Sequence, residues 1–162
     1  FFKKIDHKLT FNSKKKFDFI FCNGVLSHKK NWKTIIKNLS KFLNKEGCLW
    51  LSLYANGKHW MYADRFKKNL KKKNYSDFKK ALELRSWEPN KINFLIELFF
   101  NNRIYFDKKE IKNFLKKNNF NVVKFLERGI PTDLNEIIFQ NKHLTKIYGN
   151  GEIRLIARKG TK

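Results

Sequence analysis

Cysteine is scarce in this 162-residue sequence: there are two, Cys22 and Cys48. Each sits in an apolar run with no second Cys or His at ligand spacing. That excludes a disulfide framework and leaves no metal site to expect. Two reduced, buried thiols fit a cytoplasmic protein. Long hydrophobic runs are also missing. No stretch reaches the ~18 apolar residues of a membrane-spanning helix, so no membrane span is expected. The first residues, FFKKIDHKLT, lack the apolar core and cleavage site of a secretory signal. The chain opens on Phe1 rather than Met, so its start is expected to lie further upstream.

Acidic residues are few, 14 against 37 Lys and Arg, for a formal net charge of +23. Arginine is the minor partner among the bases: six Arg against 31 Lys. Two readings follow. One is a polyanionic partner, nucleic acid or an anionic membrane surface. The other is compositional background, because Lys, Asn, Ile and Phe rise together while Arg, whose planar fork grips phosphate in pairs of bonds, does not. The lysines read as spread over nearly every polar helix face. Background is therefore favoured, and nucleic acid is a partner that is not favoured.

A hydrophobic content of 41% and an aromatic content of 16% are enough for a real core. The stretch FDFIFCN, 17–23, is apolar on both faces from Phe19 to Cys22, the pattern of a strand covered on both faces. Between Asn31 and Asn44, Trp32, Ile35, Ile36, Leu39, Phe42 and Leu43 trace one helical stripe. NKEG, 44–47, is expected to close that helix, with Gly47 in the left-handed turn. CLWLSLY, 48–54, reads as a second buried strand. Strand, helix and strand with short links make a βαβ unit, hence a parallel pair. Residues 58–102 read as a helical insertion, with Ser76 and Asn90 as caps. Asp107 and Glu110 form a capping box, stapled by Phe106 and Ile111, on a helix to about Lys117. A turn at Asn118-Asn119 leads to a strand at 121–127. Asp133 and Glu136 make a second cap, and a strand at 152–158 ends the chain, antiparallel to its predecessor.

FDFIFCNGVLSH, then FLNKEGCLWLSLY, then YFDKKEIKNFLKKNNFNVVKFLERG, then GEIRLIARK: in this order and spacing, these stretches resemble the C-terminal part of a class I S-adenosylmethionine-dependent methyltransferase. Residues 58–102 are the weakest part of the likeness. The resemblance implies an α/β, Rossmann-like methyltransferase fold. Its sheet is incomplete and mostly parallel, with an antiparallel C-terminal strand and the helical insertion, or lid, at 58–102. The family's glycine-rich cofactor loop has no counterpart here. A phosphate- or carboxylate-cradling loop runs strand, glycines, helix, whereas GNG at 149–151 precedes a strand and reads as a hairpin turn. That loop, and the acid that holds the ribose hydroxyls, are expected upstream.

The resemblance also implies a site at the carboxyl ends of the strands, where doubly wound sheets bind ligands. Asn23, Gly24, Val25 and Leu26 would line the cofactor. Asp6 would accept from the adenine amino group with His7 offering its backbone, unless Asp6 is an ordinary loop residue. His28 reads either as a capping or packing residue, or as a wall of the methyl-transfer site or a base for a substrate hydroxyl or amine. Tyr54, His59, Trp60 and Tyr62 read as lid packing or as a substrate cage. The implied cofactor is S-adenosylmethionine, and the expected acceptor is a small molecule or lipid-like compound. The alternatives are an RNA acceptor or a non-catalytic, Lys-rich nucleic-acid-binding module.

Overall fold

The computed structural model describes residues 16–57, 64–65, 67–68, 75–126 and 151–161. In chain order the elements are β1 (Phe17–Asn23), a single 3-10 turn (Leu26–His28), α1 (Trp32–Phe42), β2 (Leu43–Tyr54), α2 (Tyr75–Glu83), α3 (Pro89–Phe100), α4 (Lys108–Lys117), β3 (Phe120–Leu126) and β4 (Glu152–Lys159). The strands form one sheet in the order β1-β2-β4-β3. β1 and β2 are parallel, and β4 is antiparallel to both β2 and β3. Three strands therefore share a direction, and the C-terminal strand runs against them. This is the Rossmann-like α/β arrangement implied by the sequence, with α2 and α3 lying within the expected helical insertion.

One face of the sheet carries the core. Ile20 and Cys22 of β1, Leu49, Leu51 and Leu53 of β2, and Ile153, Leu155 and Ala157 of β4 are buried there. The stripe on α1 (Trp32, Ile35, Ile36, Leu39) covers them together with Ile111 and Leu115 of α4. Trp32 fixes the two helices edge to face, its ring 4.9 Å from Phe114 and 5.0 Å from Phe106. Lys159, at the end of β4, donates to the carbonyls of Ser40 (2.7 Å) and Leu43 (2.8 Å), satisfying acceptors that the end of α1 leaves open.

Several expectations are corrected. The opposite face of β1 is not covered among the described residues: Phe19 and Phe21 are 53% and 60% exposed, and Phe21 stacks on Trp50 at 4.2 Å. The reason is that α1 and α4 both lie on one side. β2 begins at Leu43, five residues earlier than expected, so 44–47 belong to the strand. The left-handed residue there is Glu46 (φ 61°), not Gly47. Gly47 is needed for a close approach instead, because an added Cβ would meet the carbonyl oxygens of Asn44, Phe17 and Asp18 at 3.0, 3.1 and 3.2 Å. Ser76 and Asn90 fall inside the first turns of α2 and α3 rather than at their caps, and Pro89 opens α3, a position its missing N–H suits.

At α4, Asp107 accepts from the Lys109 and Glu110 amides at 2.7 and 3.0 Å, so the cap forms as expected. Glu110 reaches toward Lys33 (3.8 Å), while both staple residues, Phe106 and Ile111, are buried. β3 starts at Phe120, one residue early, after Asn119 in the left-handed region. Asp133, Glu136 and the turn at 149–150 lie outside the described residues.

Candidate functional site

β1 and β2 end side by side at Asn23 and Tyr54, with Asn23 registered against Ser52. Because β4 runs the other way, its first residues arrive at the same edge: Ser52 faces Arg154, and Tyr54 faces Glu152. Side chains alternate across a strand, so Asn23, Ser52, Tyr54, Arg154 and Glu152 all project on the face opposite α1 and α4. The Ser52 hydroxyl donates to Glu152, whose other oxygen holds Arg154 at 3.2 Å. A polar rim thus borders the apolar sheet.

The backbone leaves β1 through Gly24, whose φ of +69° is a conformation L side chains rarely adopt. Its amide donates to the Ser52 carbonyl (3.1 Å), and a Cβ added there would meet nothing within 4 Å. Open space therefore lies against the backbone at the strand end. Val25 is 45% exposed beside it. Leu26 is fully buried, within the core cluster. His28 ends the 3-10 turn instead of beginning α1, which starts four residues later.

His28 and Tyr54 come together, their rings edge to face at 5.6 Å. The Nδ1 of His28 lies 2.8 Å from the Asn102 carbonyl. A carbonyl only accepts, so Nδ1 is the donor in this pair. Buried Ser27 ties the rim together: its hydroxyl accepts from the Tyr54 amide (2.8 Å), and its carbonyl accepts from the Ile104 amide (2.7 Å). The 102–106 strap is fastened further by the Phe106 amide on the Tyr54 carbonyl (2.8 Å). Tyr105, on that strap, donates to Asp64 at 2.5 Å. Burial, and then the Asp64 carboxylate, push its phenol well above the usual range, so it stays a donor.

Asp6, His7, His59, Trp60 and Tyr62 lie outside the described residues. The sequence reading missed Ser27, Ser52, Asp64, Tyr105, Glu152 and Arg154. Glu152 and Arg154, two apart at the start of a strand that reverses direction, were the available signal for a polar rim. Nothing local marks Asp64 or Tyr105, which are 41 residues apart in the chain.

With this geometry in view, the comparisons decide the family. A family model described as a methyltransferase domain matches residues 2–124. This chain belongs to the methyltransferase-domain family. Among solved structures, it is similar to PKMT2 from Rickettsia typhi in complex with AdoHcy, at 14% identity and a TM-score of 0.57, over 94% of this chain and 37% of that one. A second structure of PKMT2 from Rickettsia typhi gives 14% identity and a TM-score of 0.55, over 94% and 38%. Magnesium protoporphyrin IX methyltransferase from Synechocystis PCC 6803 with bound SAH gives 13% identity and a TM-score of 0.47, over 92% and 47%. This chain spans less than half the length of each of these proteins. A search of curated proteins returns no match. Among the described residues, no helix is long and apolar enough to cross a membrane.

Proposed function

We propose that this chain is the C-terminal part of an S-adenosylmethionine-dependent methyltransferase that acts on a small-molecule or lipid-like acceptor. The observation that carries the reading is the strand-end rim. There, Gly24 leaves open space against the backbone, and His28 and Tyr54 pair beside it. The residues fit the cofactor: exposed Asn23 offers a donor and an acceptor, Gly24 permits close approach, and Val25 offers an apolar edge. Asp6 and His7 are assigned to the adenine end. When bound, the cofactor supplies a methyl group already activated on a sulfonium.

The chain's own work is then alignment and exclusion of water. Tyr54 walls the acceptor side, and His28, held through Nδ1 by the Asn102 carbonyl, stands beside it as a wall of the methyl-transfer site or a base for an acceptor hydroxyl or amine. Residues 58–102, including His59, Trp60 and Tyr62, form the lid. The bond from Tyr105 to Asp64 fastens it to the strap at the rim, and Lys67 holds the junction of the two through Asn101 (2.6 Å) and Asn102 (3.2 Å).

Kinetics on the whole protein test the assignment. Assigned to the adenine amino group, Asp6 would act away from the methyl group and serve ground and transition states alike. Asp6→Ala is expected to raise the cofactor KM roughly 10- to 150-fold, the worth of one hydrogen bond to a charged acceptor, with kcat nearly unchanged. Asn23→Ala is expected to lower kcat more than cofactor affinity. Lost turnover in Asp6→Ala beside a wild-type Asn23→Ala, both folded, would overturn the placement.

A further inference from the structure

The excess positive charge is not uniform once the chain is folded. Residues 29–42 and 107–117, which make the α1–α4 layer, hold ten Lys against Asp107 and Glu110. Residues 75–100, which make α2 and α3, hold four basic and four acidic residues. Residues 58–74 also hold seven basic residues against Asp64, so what sets the layer apart is the regular spacing of its lysines on two adjoining helices. The two helices of the layer share one side of the sheet, joined through Trp32 against Phe114 and through Lys33 beside Glu110. Their apolar stripes face the sheet, so the lysines face outward. Lys33, Lys37 and Lys41 on α1 repeat at four-residue intervals, and Lys108, Lys112 and Lys116 do the same on α4; all six are exposed. A four-residue interval on a helix is a rise of about 6 Å.

We propose that the α1–α4 layer is a docking surface for nucleic acid, gripped through its phosphate backbone. Two rows of evenly repeated cations suit a polymer with an evenly repeated charge. The exposed large apolar side chains (Phe19, Phe21, Val25, Tyr75, Leu84 and Trp87) all lie elsewhere. The layer therefore has no wedge to enter a bilayer and no ring on which a base stacks, and binding is independent of base sequence. The surface lies across the sheet from the polar rim, and the inference stands apart from the methyltransferase reading.

Fluorescence anisotropy with a labelled 20-nucleotide oligouridine tests this against a charge-matched control. One variant combines Lys30→Gln, Lys37→Gln, Lys112→Gln and Lys116→Gln; the control combines Lys79→Gln, Lys80→Gln, Arg85→Gln and Lys91→Gln. Both lose the same charge. Wild type is expected to bind with log K falling linearly in log salt. The layer variant is expected to lose about tenfold or more in affinity and to flatten the slope by roughly 2–3, as removal of four single-strand phosphate contacts requires. The control is expected to stay within about threefold. Equal losses in the two variants, or no saturable binding by wild type in ~50 mM salt, overturn the proposal. Phosphatidylserine vesicles that bind wild type more tightly than the oligonucleotide overturn it in favour of a membrane. If circular dichroism shows the layer variant unfolded, amide shifts of wild type on adding oligouridine decide: shifts along α1 and α4 support the surface, and shifts confined to 23–28 contradict it.

Discussion

The α1–α4 layer and the α2–α3 pair are helices of similar length attached to the molecule by different means. α1 and α4 each drive an apolar stripe into the one core that the sheet provides. α2 buries no residue, and Ile92 of α3 is buried outside that core. The pair is held largely by its own aromatic contacts: Tyr75 meets Phe100 at 5.4 Å, and Phe78 meets Phe99 and Phe100 at 6.0 and 5.5 Å. Leu84 and Trp87, at 77% and 44% exposed, are left facing out between α2 and α3. Segments with few buried apolar contacts sit at the low-stability end of a structure, where lids are found. The difference is one of anchorage: the layer is tied into the core, and among the described residues the pair is held mostly by contacts of its own.

The largest effect that tests this contrast is truncation of one large ring on each side. Trp32→Ala removes the contact that joins α1 to α4 and is expected to cost about 3–5 kcal/mol in denaturant unfolding. Phe78→Ala removes two edge contacts of the satellite pair and is expected to change the global midpoint by about 1 kcal/mol or less. Equal losses would merge the two regions into one cooperative unit.

A pH profile gives a smaller effect. Burial pushes the Cys22 thiol, beneath α1, up to about 11 from its ordinary 9.0. The unfolded chain then ionises at lower pH than the folded one, so the folded state holds more protons between pH 9 and 11. Stability is full below pH 9 and falls as pH rises toward 11, by a total on the order of 2 kcal/mol. Unfolding of Cys22→Val is expected to lose that alkaline component, and a matched slope in both proteins would show that the thiol is not buried in solution. Smaller still is the cap of α4. Asp107→Ala is expected to cost about 1 kcal/mol in the same unfolding assay, felt globally because α4 belongs to the anchored layer.

The elements that local chemistry specifies were legible in the sequence. The α1 stripe, the Asp107 cap with its staple, and the parallel β1–β2 pair all follow from patterns within a few residues. What was misread depends on neighbours distant in sequence. Gly47 looks like a helix terminator, but its constraint comes from the carbonyls of Phe17 and Asp18, about 30 residues earlier. β1 looks buried on both faces because its apolar run continues through Phe19 and Phe21, while the helices that cover it lie on one side. At the candidate site, the place of Asn23, Gly24 and Tyr54 at strand ends was legible from the strands themselves, while the inward turn of Leu26 was not. The lysines were read as spread over nearly every polar helix face, and the packing of α1 beside α4 brings Lys33, Lys37 and Lys41 to the same side of the sheet as Lys108, Lys112 and Lys116.

Hydrogen exchange on the whole protein, with and without S-adenosylhomocysteine, tests the rim most directly. In the free protein, α2 and α3 are expected to exchange before α1 and α4. On binding, the amides of 23–28 and the end of β2 are expected to slow, while the middle of α4 stays unchanged. Saturated binding that leaves 23–28 exchanging at its free rate would contradict the account, because the cofactor would then sit away from the strand ends at Asn23 and Tyr54.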